Sequence, residues 1–199
     1  MTHLSFILAS ASPRRRRLIK SFPFAAKVIV SRVREPRPRP GESPRRYALE
    51  LAEKKAREVA RRVDRGLVLG ADTVVHLGGR ILGKPSSAGH ARRMLETLTG
   101  RWHEVHTALC LVAAPGGRAW TAAALTKVRM RRFTEEQLDR WSKKNHDKAG
   151  AYAAQAAGNP FVVDHRGDFD NIVGLPRRTL RELLRSAERE GFKPTSRQK

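Results

Sequence analysis

The sequence predicts a mixed α/β fold, and three observations carry this prediction. Short apolar runs typical of buried strands alternate along the chain with capped amphipathic segments typical of helices. A glycine pair, Gly78-Gly79, marks a hairpin between two of the strands. No internal repeat is present, and 199 residues suit one domain or two small lobes that share a core.

The composition is strongly basic. Lys and Arg number 41 against 19 Asp and Glu, which gives a formal net charge of +22. This balance predicts a polyanionic partner: a nucleic acid, an anionic membrane surface or a phosphorylated small molecule. The single cysteine, Cys110, excludes a disulfide scaffold. No run approaches the ~18 apolar residues of a membrane span, so a transmembrane segment is excluded.

The N-terminus shows no export signal. Its apolar run, Leu4 to Ala9, precedes the arginine cluster at 14–17, whereas a signal peptide places its basic residues first. We therefore expect a cytoplasmic protein. Cys110 lies within the apolar run Ala108 to Ala113 with no charge close by, which predicts a buried and unreactive thiol.

The first predicted elements are a buried strand and a helix. Phe6 to Ala9 is an apolar run, after which Ser12 can cap a helix whose first position is Pro13. A second strand is predicted at 27–31. The segment 32–44 contains four prolines and is therefore predicted to be a loop.

A long helix is predicted from Ser43 or Pro44 to about Val63. Its apolar residues recur at helical spacing, and Lys55 projects inside that stripe between Leu51 and Val59. Burying an unpaired ammonium is costly, so Lys55 needs an explanation. Two remain open: the lysine extends to solvent from the edge of the stripe, or it points at an anion in a cleft.

The glycine pair predicts a hairpin. Its strands are Leu67 to Leu77 and Arg80 to Gly83, with Gly78-Gly79 as the turn. Counting outward from the turn places Thr73 opposite Lys84, so we expect Asp72, Thr73 and Lys84 to be neighbours in space.

Asp72 interrupts this apolar strand between Leu69 and Val74. Strict alternation puts Asp72 on the opposite face from Thr73, although a bend near Gly70 or Gly83 would relax this. Its carboxylate either accepts backbone hydrogen bonds as a structural group or faces a cleft. In a cleft, a carboxylate can orient and deprotonate a water or hold a divalent metal.

The rest of the chain continues the alternation. A capping-box pattern, Thr134 with Gln137, opens one of the helices. The tail 193–199 is basic and is expected to be disordered. The remaining predicted elements are a helix from Ser86 or Ser87 to Leu98, strands at 103–113 and 118–132, a helix at 134–144, a short strand at 161–164 and a C-terminal amphipathic helix that contains Leu180, Leu183, Leu184 and Ala187.

Two further segments have side chains suited to a nucleotide. The turn that follows the first strand places Arg14 and Arg15 at a helix N-terminus, which is an anion site by its geometry although it lacks the P-loop pattern. Arg16 and Arg17 are expected on a solvated face. Gln155 ends a loop of small residues and offers a paired donor and acceptor that can read a base edge, although from this residue alone a solvent-facing glutamine is the more common case.

These segments together resemble the Maf (septum-formation) family over nearly the whole chain, from Leu4 to Leu184. Gly100 with His103, Val105 and Thr107 matches a further family pattern. The segments that carry the resemblance are Leu8-Ala-Ser-Ala-Ser-Pro-Arg-Arg15, Gly70-Ala-Asp-Thr-Val-Val75, Leu82-Gly-Lys-Pro85, Lys148-Ala-Gly-Ala-Tyr152 with Gln155, and Asn171-Ile-Val-Gly-Leu-Pro176.

The resemblance implies an enzyme and a fold. The enzyme is a nucleoside triphosphate pyrophosphatase, which converts a triphosphate and water into a nucleoside monophosphate and pyrophosphate. The fold is a mixed central β-sheet flanked by helices, in which residues 1–192 form one domain of two lobes with the active site in the cleft between them. The implied partners are the nucleotide substrate and a second copy of the chain in a homodimer, with no membrane involved.

The resemblance also implies roles for individual residues. Asp72 would be the general base that acts on the attacking water, and Asp72 with Glu35 would hold a divalent cation, Mg²⁺ or Mn²⁺. The triphosphate would be bound by Ser10, Arg14, Arg15, Lys55 and Lys84. Base specificity would depend on Arg14, Thr73 and Gln155.

The sequence leaves one favoured function and two alternatives. The Tyr-x-x-Gln form of the 152–155 motif resembles the dTTP/UTP branch of the family more than the 7-methyl-GTP branch, so a pyrimidine triphosphate or a modified pyrimidine nucleotide is expected. The same enzyme class with 7-methyl-GTP specificity is one alternative. The other is a basic nucleic-acid-binding module with a degenerate nucleotide site, which an aromatic content of 6% and scattered arginines count against.

Overall fold

The computed structural model of the protein describes residues 2–115, 117–143, 148–154 and 160–196. Its strands are β1 (Thr2–Leu4), β2 (Phe6–Leu8), β3 (Ala26–Val28), β4 (Gly66–Leu77), β5 (Arg80–Leu82), β6 (Trp102–Ala114), β7 (Ala119–Met130), β8 (Val162–Arg166) and β9 (Phe192–Pro194). Its helices are α1 (Pro13–Ile19), α2 (Pro44–Ala60), α3 (Ala88–Leu98), α4 (Glu135–Ser142), α5 (Phe169–Val173) and α6 (Arg177–Arg189), with a 3-10 turn at Ala149–Ala151.

In the described part of the chain, seven strands form one mixed sheet. Their order is β3-β2-β4-β6-β7-β8, and β5 pairs with the end of β4. β2 runs parallel to β3 and β4, whereas the β4–β5, β4–β6, β6–β7 and β7–β8 pairs are antiparallel. The prediction of a mixed central sheet flanked by helices is confirmed.

Helix α2 covers one face of the sheet. Ser43 caps it by accepting a hydrogen bond from the Arg46 amide, and its apolar stripe packs on Val68, Cys110 and Val112. Cys110 is fully buried, and burial raises the pKa of its thiol to about 12, as expected for an unreactive cysteine. The buried residues of α2 are Tyr47, Ala48, Leu51, Ala52, Lys55, Ala56 and Val59.

Gly70 lets α2 approach β4 closely. A Cβ at Gly70 would lie 2.1 Å from the Ala52 carbonyl oxygen and 2.7 Å from the Ala56 amide nitrogen. Both are backbone atoms of α2, so a side chain at this position fits only if the helix moves away from the strand. The contact therefore sets the distance between Lys55 on α2 and Asp72 on β4.

Gly70→Ala is expected to lower the free energy of unfolding by about 1–3 kcal/mol, the usual cost of overpacking a close contact. Urea unfolding followed by circular dichroism measures the change. Gly83→Ala is the matched control, because a Cβ at Gly83 meets no described atom within 4 Å. Equal stabilities of the two variants would contradict the proposed role of this contact.

The opposite face of the sheet carries two hydrophobic clusters. One packs α6 against the first half of β4 and includes Ala71, and the other packs α3 against its second half and includes Val75. Thr73 lies between the two clusters on this face and pairs with Thr107 of β6. The two threonines therefore form a polar boundary between apolar clusters.

The tail that the sequence predicted to be disordered, 193–199, begins within an ordered strand. β9 pairs in parallel with β1, the Thr195 amide donates to the Leu4 carbonyl over 2.9 Å, and Ser196 forms a bridge with Phe24. The prediction was wrong for residues 193–196, because it rested on basic side chains whereas the pairing uses the backbone. Residues 197–199 lie outside the described ranges.

Helix α5 was not predicted as a helix. It has five residues, which is too short for a periodic apolar pattern, and lies between an Asp168 cap and Gly174 at φ 107°. The strand predicted at 27–31 is shorter, at 26–28, because its partner β2 ends at Leu8. No helix in the described ranges combines the length and apolarity of a membrane span.

Candidate active site

A cavity of about 410 Å³ lies beside β4, within the size range of small-molecule sites. Segments 9–15, 30–35 and 148–152 contribute to its walls together with α2, β4 and α5. Gln155 lies outside the described residues. The predicted site residues that line the cavity are Ser10, Arg14, Arg15, Glu35, Lys55, Asp72, Thr73 and Lys84.

The cavity opens where β4 has a free edge. β2 pairs with β4 only as far as Leu69, and β5 pairs with it only from Val75. No described strand covers residues 70–74 on this side, so side chains from both faces of β4 reach the same cavity. Asp72 and Thr73 therefore point to opposite faces, as strict alternation requires, and still line one site.

Lys84 reaches the cavity by a different route from the one predicted. The hairpin has the expected register next to its turn, but the β4–β5 ladder ends at Leu82, so Lys84 is not paired with Thr73. Its Nζ instead donates to Glu35 Oε1 over 2.9 Å. The structure thus brings Lys84 and Thr73 to one cavity without making them strand partners.

Lys55 is buried and ion-paired. Its Nζ lies 2.6 Å from Asp72 Oδ1 and 2.7 Å from Glu35 Oε1, and the residue is 9% exposed. Of the two explanations left open by the sequence, the structure supports a lysine that points into a cleft. The two carboxylates offset the cost of burying its charge.

The two carboxylates beside Lys55 differ in pKa. Burial raises the pKa of Asp72, although Lys55 and Arg15 act in the opposite direction. Burial also acts to raise the pKa of Glu35, but the charges and hydrogen bonds of Lys55 and Lys84 lower it to about 2. Glu35 is therefore a permanent anion, whereas Asp72 is the better proton acceptor, a division typical of acid–base sites.

Glu35 is expected to contribute stability that depends on pH. Because its folded pKa lies near 2, below the ordinary value of 4.5, it stabilises the protein above pH 4.5 and the contribution fades as the pH falls toward 2. Thermal unfolding should show the wild type more stable than Glu35→Gln at pH 6, with a smaller gap at pH 3.5, where part of the contribution is already lost.

The pH dependence of stability that comes from Asp72 has the opposite sign, because the folded pKa of Asp72 is raised. Both the wild type and Glu35→Gln contain Asp72, so the difference in stability between these two proteins isolates the contribution of Glu35. Glu42→Gln, in the same loop but outside the contacts of Lys55, is the control and should follow the wild type. A gap between the wild type and Glu35→Gln that stays constant between pH 6 and pH 3.5 would contradict the lowered pKa.

The guanidinium of Arg15 is largely engaged by the protein. Nε donates to the Gly174 carbonyl over 2.7 Å, and Nη1 donates to the Ala71 carbonyl over 3.0 Å and to Ser10 Oγ over 3.4 Å. Nη2 donates to Thr73 Oγ1 over 2.9 Å. Among the described residues these contacts use all but one of the N–H groups, so Arg15 chiefly joins α1, β4 and α5.

Thr73 belongs to a buried hydrogen-bond chain. Thr107 Oγ1 donates to the Asn171 carbonyl over 2.8 Å, so in its 2.9 Å contact with Thr73 Oγ1 the Thr73 hydroxyl is the donor. Thr73 also accepts from Arg15, which leaves it one acceptor lone pair within the described structure. Thr107 and Asn171 thus hold Thr73 in place, although neither was predicted as a site residue.

Sequence reasoning also missed Tyr47. It lines the cavity, its hydroxyl donates to the Pro36 carbonyl over 2.6 Å, and burial raises its pKa to about 12. This bond fixes the loop next to Glu35. The only signal in the sequence was a lone tyrosine in the first turns of a helix whose other inward residues are mostly aliphatic.

His103 and Tyr152 form a buried pair at the far wall of the cavity. The Tyr152 hydroxyl lies 2.8 Å from His103 Nε2, and Tyr152 lines the cavity. Burial lowers the pKa of His103 to about 4, so its imidazole is neutral near pH 7. A neutral imidazole can orient the tyrosine without adding charge to the site.

The donor set fits a divalent cation of the hard class. Glu35 and Asp72 present carboxylate oxygens that converge on the Nζ of Lys55. Carboxylate oxygens are the ligands that Mg²⁺ and Mn²⁺ prefer, and an ammonium already held between them shows that the position suits positive charge.

One known protein family matches nearly the whole chain. The family described as Maf-like protein matches residues 5–187. The chain belongs to the Maf family. The match spans every element from β2 through most of α6, and therefore includes the whole described lining of the cavity.

Curated relatives are similar to this chain over most of its length. A dTTP/UTP pyrophosphatase of Anaeromyxobacter dehalogenans is 44% identical over 185 residues, which cover 91% of this chain and 93% of the relative. A dTTP/UTP pyrophosphatase of Thermococcus onnurineus is 44% identical over 182 residues, which cover 89% of this chain and 96% of the relative. A dTTP/UTP pyrophosphatase of Thermococcus gammatolerans is 42% identical over 193 residues, which cover 96% of this chain and 99% of the relative.

A solved structure was also matched. It is a nucleoside-triphosphatase, a dITP/XTP pyrophosphatase, of Mycobacterium abscessus, with a TM-score of 0.41 and 17% identity over 94% of this chain and 95% of that chain.

Proposed function

We propose that this Maf protein is a nucleoside triphosphate pyrophosphatase that hydrolyses a pyrimidine nucleotide, such as dTTP or UTP, to a nucleoside monophosphate and pyrophosphate. One observation carries the proposal: a buried carboxylate, Asp72, is ion-paired to a buried lysine at the open strand edge of a cationic cavity. The names of the relatives at 42–44% identity support the substrate class.

Asp72 acts as the general base. Its oxygen accepts a proton from the water that attacks the α-phosphorus, and the bond between the α-phosphorus and the bridging oxygen to the β-phosphorus then breaks. Burial supports this role because it raises the pKa of Asp72, while Lys55 keeps the carboxylate ionised and oriented. Pyrophosphate leaves, and the proton on Asp72 returns to solvent.

The cavity carries an excess of positive charge for the triphosphate. Arg14, Lys55 and Lys84 line it in addition to Arg15, against the carboxylates of Asp72 and Glu35. Cations placed where phosphate charge develops stabilise the transition state. We assign the larger share of phosphate binding to Lys84, whose side chain is 52% exposed, because the guanidinium of Arg15 is mostly engaged by the protein. The part of Arg14 rests on the family resemblance and on its place in the cavity lining.

Asp72 and Glu35 would hold the divalent cation, Mg²⁺ or Mn²⁺. When bound, it supplies positive charge that neutralises the phosphate oxygens. The lowered pKa of Glu35, about 2, keeps this ligand ionised near pH 7. Lys84 and Lys55 orient the Glu35 carboxylate through their hydrogen bonds to its Oε1.

Base recognition involves Thr73, Arg14 and Gln155. The lone pair that Thr73 retains can accept an N–H such as the N3–H group of uracil or thymine. Gln155 offers the paired donor and acceptor that a pyrimidine edge requires, and its part in recognition rests on the family resemblance.

The test is pyrophosphate release from dTTP, UTP, dCTP and 7-methyl-GTP in the presence of Mg²⁺ or Mn²⁺, with the monophosphate product identified. We expect kcat/KM for dTTP or UTP to exceed that for 7-methyl-GTP at least tenfold. A preference for 7-methyl-GTP would overturn the proposed specificity and retain the reaction. No turnover of any triphosphate, together with tight and salt-sensitive binding of DNA or RNA, would establish the nucleic-acid-binding alternative.

The homodimer and the cytoplasmic location that the sequence suggested stay predictions. Light scattering of the purified chain tests the first, and fractionation of the source cells tests the second.

A further inference from the structure

A second cluster of chemically active side chains lies outside the cavity. His76 Nδ1 is 3.2 Å from Glu104 Oε2, and His106 Nε2 is 3.1 Å from the same oxygen. The potential ligand atoms of the three residues all lie within 4.8 Å of one another. None of the three is among the described residues that line the cavity.

The sheet itself brings these residues together. His76 of β4 and Glu104 of β6 are direct partners in the antiparallel ladder. His106 is two residues along β6 from Glu104, and alternate residues of a strand share a face. The cluster therefore stands on two paired strands of the sheet, on the same face as Asp72.

We propose that His76, Glu104 and His106 bind a transition-metal ion of the Zn²⁺ class. Two imidazole nitrogens and one carboxylate oxygen form a known three-ligand zinc set, in which water takes the fourth position. Ligand atoms around a tetrahedral zinc lie about 3.4 Å apart. The two contacts to Glu104 already have this spacing, so coordination requires only small side-chain adjustments.

The site is accessible to an ion from solvent. The side chains of His76, Glu104 and His106 are 24%, 33% and 10% exposed. The ladder partner of Glu104 on β7 is Lys127, whose positive charge opposes a cation and moderates the affinity. Leu125, the ladder partner of His106, is 47% exposed and leaves one side of the site open to water.

This site is separate from the proposed catalytic cation site. His76 is four residues beyond Asp72 on β4, which corresponds to about 13 Å along a strand. The ligand classes also differ, because imidazole nitrogens select Zn²⁺-like ions whereas the carboxylates of the cavity suit Mg²⁺. Zinc binding and triphosphate hydrolysis can therefore be tested independently.

The experiment titrates Zn²⁺ into the full, tag-free chain after treatment with a chelator, in competition with a chromophoric chelator. We expect one equivalent of Zn²⁺ to bind, with affinity at least tenfold lower in His76→Asn and in His106→Asn. His165→Asn, which removes an exposed histidine of β8, is the matched control and should bind as the wild type does. Mg²⁺ should not compete for the site.

A second readout uses Co²⁺ in place of Zn²⁺. The wild type should show the intense visible absorption of a four-coordinate cobalt site, and the double variant His76→Asn/His106→Asn should lack it. In His76→Asn and in His106→Asn, the circular dichroism spectrum and the rate of pyrophosphate release without zinc should equal those of the wild type. A loss of zinc binding in these variants would then be independent of the proposed hydrolase activity. Equal Zn²⁺ affinity in the wild type and the double variant would overturn the site and leave only a hydrogen-bonded His–Glu cluster.

Discussion

Asp72→Asn is expected to lower kcat for pyrophosphate release from dTTP or UTP by about 10²–10⁴-fold, the usual contribution of a general base. The amide keeps the shape of the carboxylate but cannot take a proton from water. Lys55 retains its 2.7 Å contact with Glu35 in this variant, so the cavity should keep its architecture. The loss should therefore appear in kcat more than in stability.

The control for this variant is Glu53→Gln. It makes the same chemical change on α2, where Glu53 pairs with Arg57 and its side chain is 40% exposed. Glu53→Gln should retain the wild-type kcat. If Asp72→Asn keeps more than a tenth of the activity while Glu53→Gln is unchanged, the water is activated by another group and the assignment of Asp72 fails.

Lys55→Met is expected to have the largest effect on stability, about 3–5 kcal/mol, because it leaves the buried carboxylate of Asp72 without its ammonium partner. Asp72 is 5% exposed and cannot recover that interaction from water. Activity should be lost as well, since the base is no longer held ionised. Urea unfolding at pH 7 measures the first effect, and pyrophosphate release the second.

The double variant Lys55→Met/Asp72→Asn tests whether the loss of stability in Lys55→Met comes from the unpaired carboxylate of Asp72. Removing both partners of a buried ion pair costs much less than removing one, so stability should return toward the wild type while activity stays absent. Lys54→Met, on the neighbouring position outside the buried stripe, should be close to neutral. Additive losses in the double variant would show that the pair is not coupled.

The helices and long strands of this fold follow closely from the sequence. Caps at Ser12, Ser43 and Thr134 and the glycine turn at 78–79 act between residues close in the chain, so a local pattern is sufficient to predict them. The missed elements are short: α5 has too few residues for a periodic apolar pattern, and β1 and β9 pair with each other across almost the whole length of the chain. Local patterns carry no information about such partners.

The candidate site shows the same division. Motif resemblance named most of the described polar side chains of the cavity, and the inward position of Lys55 was visible from helical spacing alone. The sequence could not show that the Arg15 side chain donates a hydrogen bond to the carbonyl of Gly174, a residue 159 positions away. Tyr47 was missed for the same reason, because its role depends on the course of the loop that carries Glu35.

The sequence by itself therefore determined the fold class, the family and the identity of most polar groups in the cavity, because these are recorded in composition, spacing and order along the chain. Only the tertiary structure decided which of those groups lie together in one site and which bind one another. The free edge of β4 admits side chains from both faces into one cavity, and strand pairing joins His76 to Glu104. Both depend on which strands become neighbours, and that is set by packing of the whole sheet.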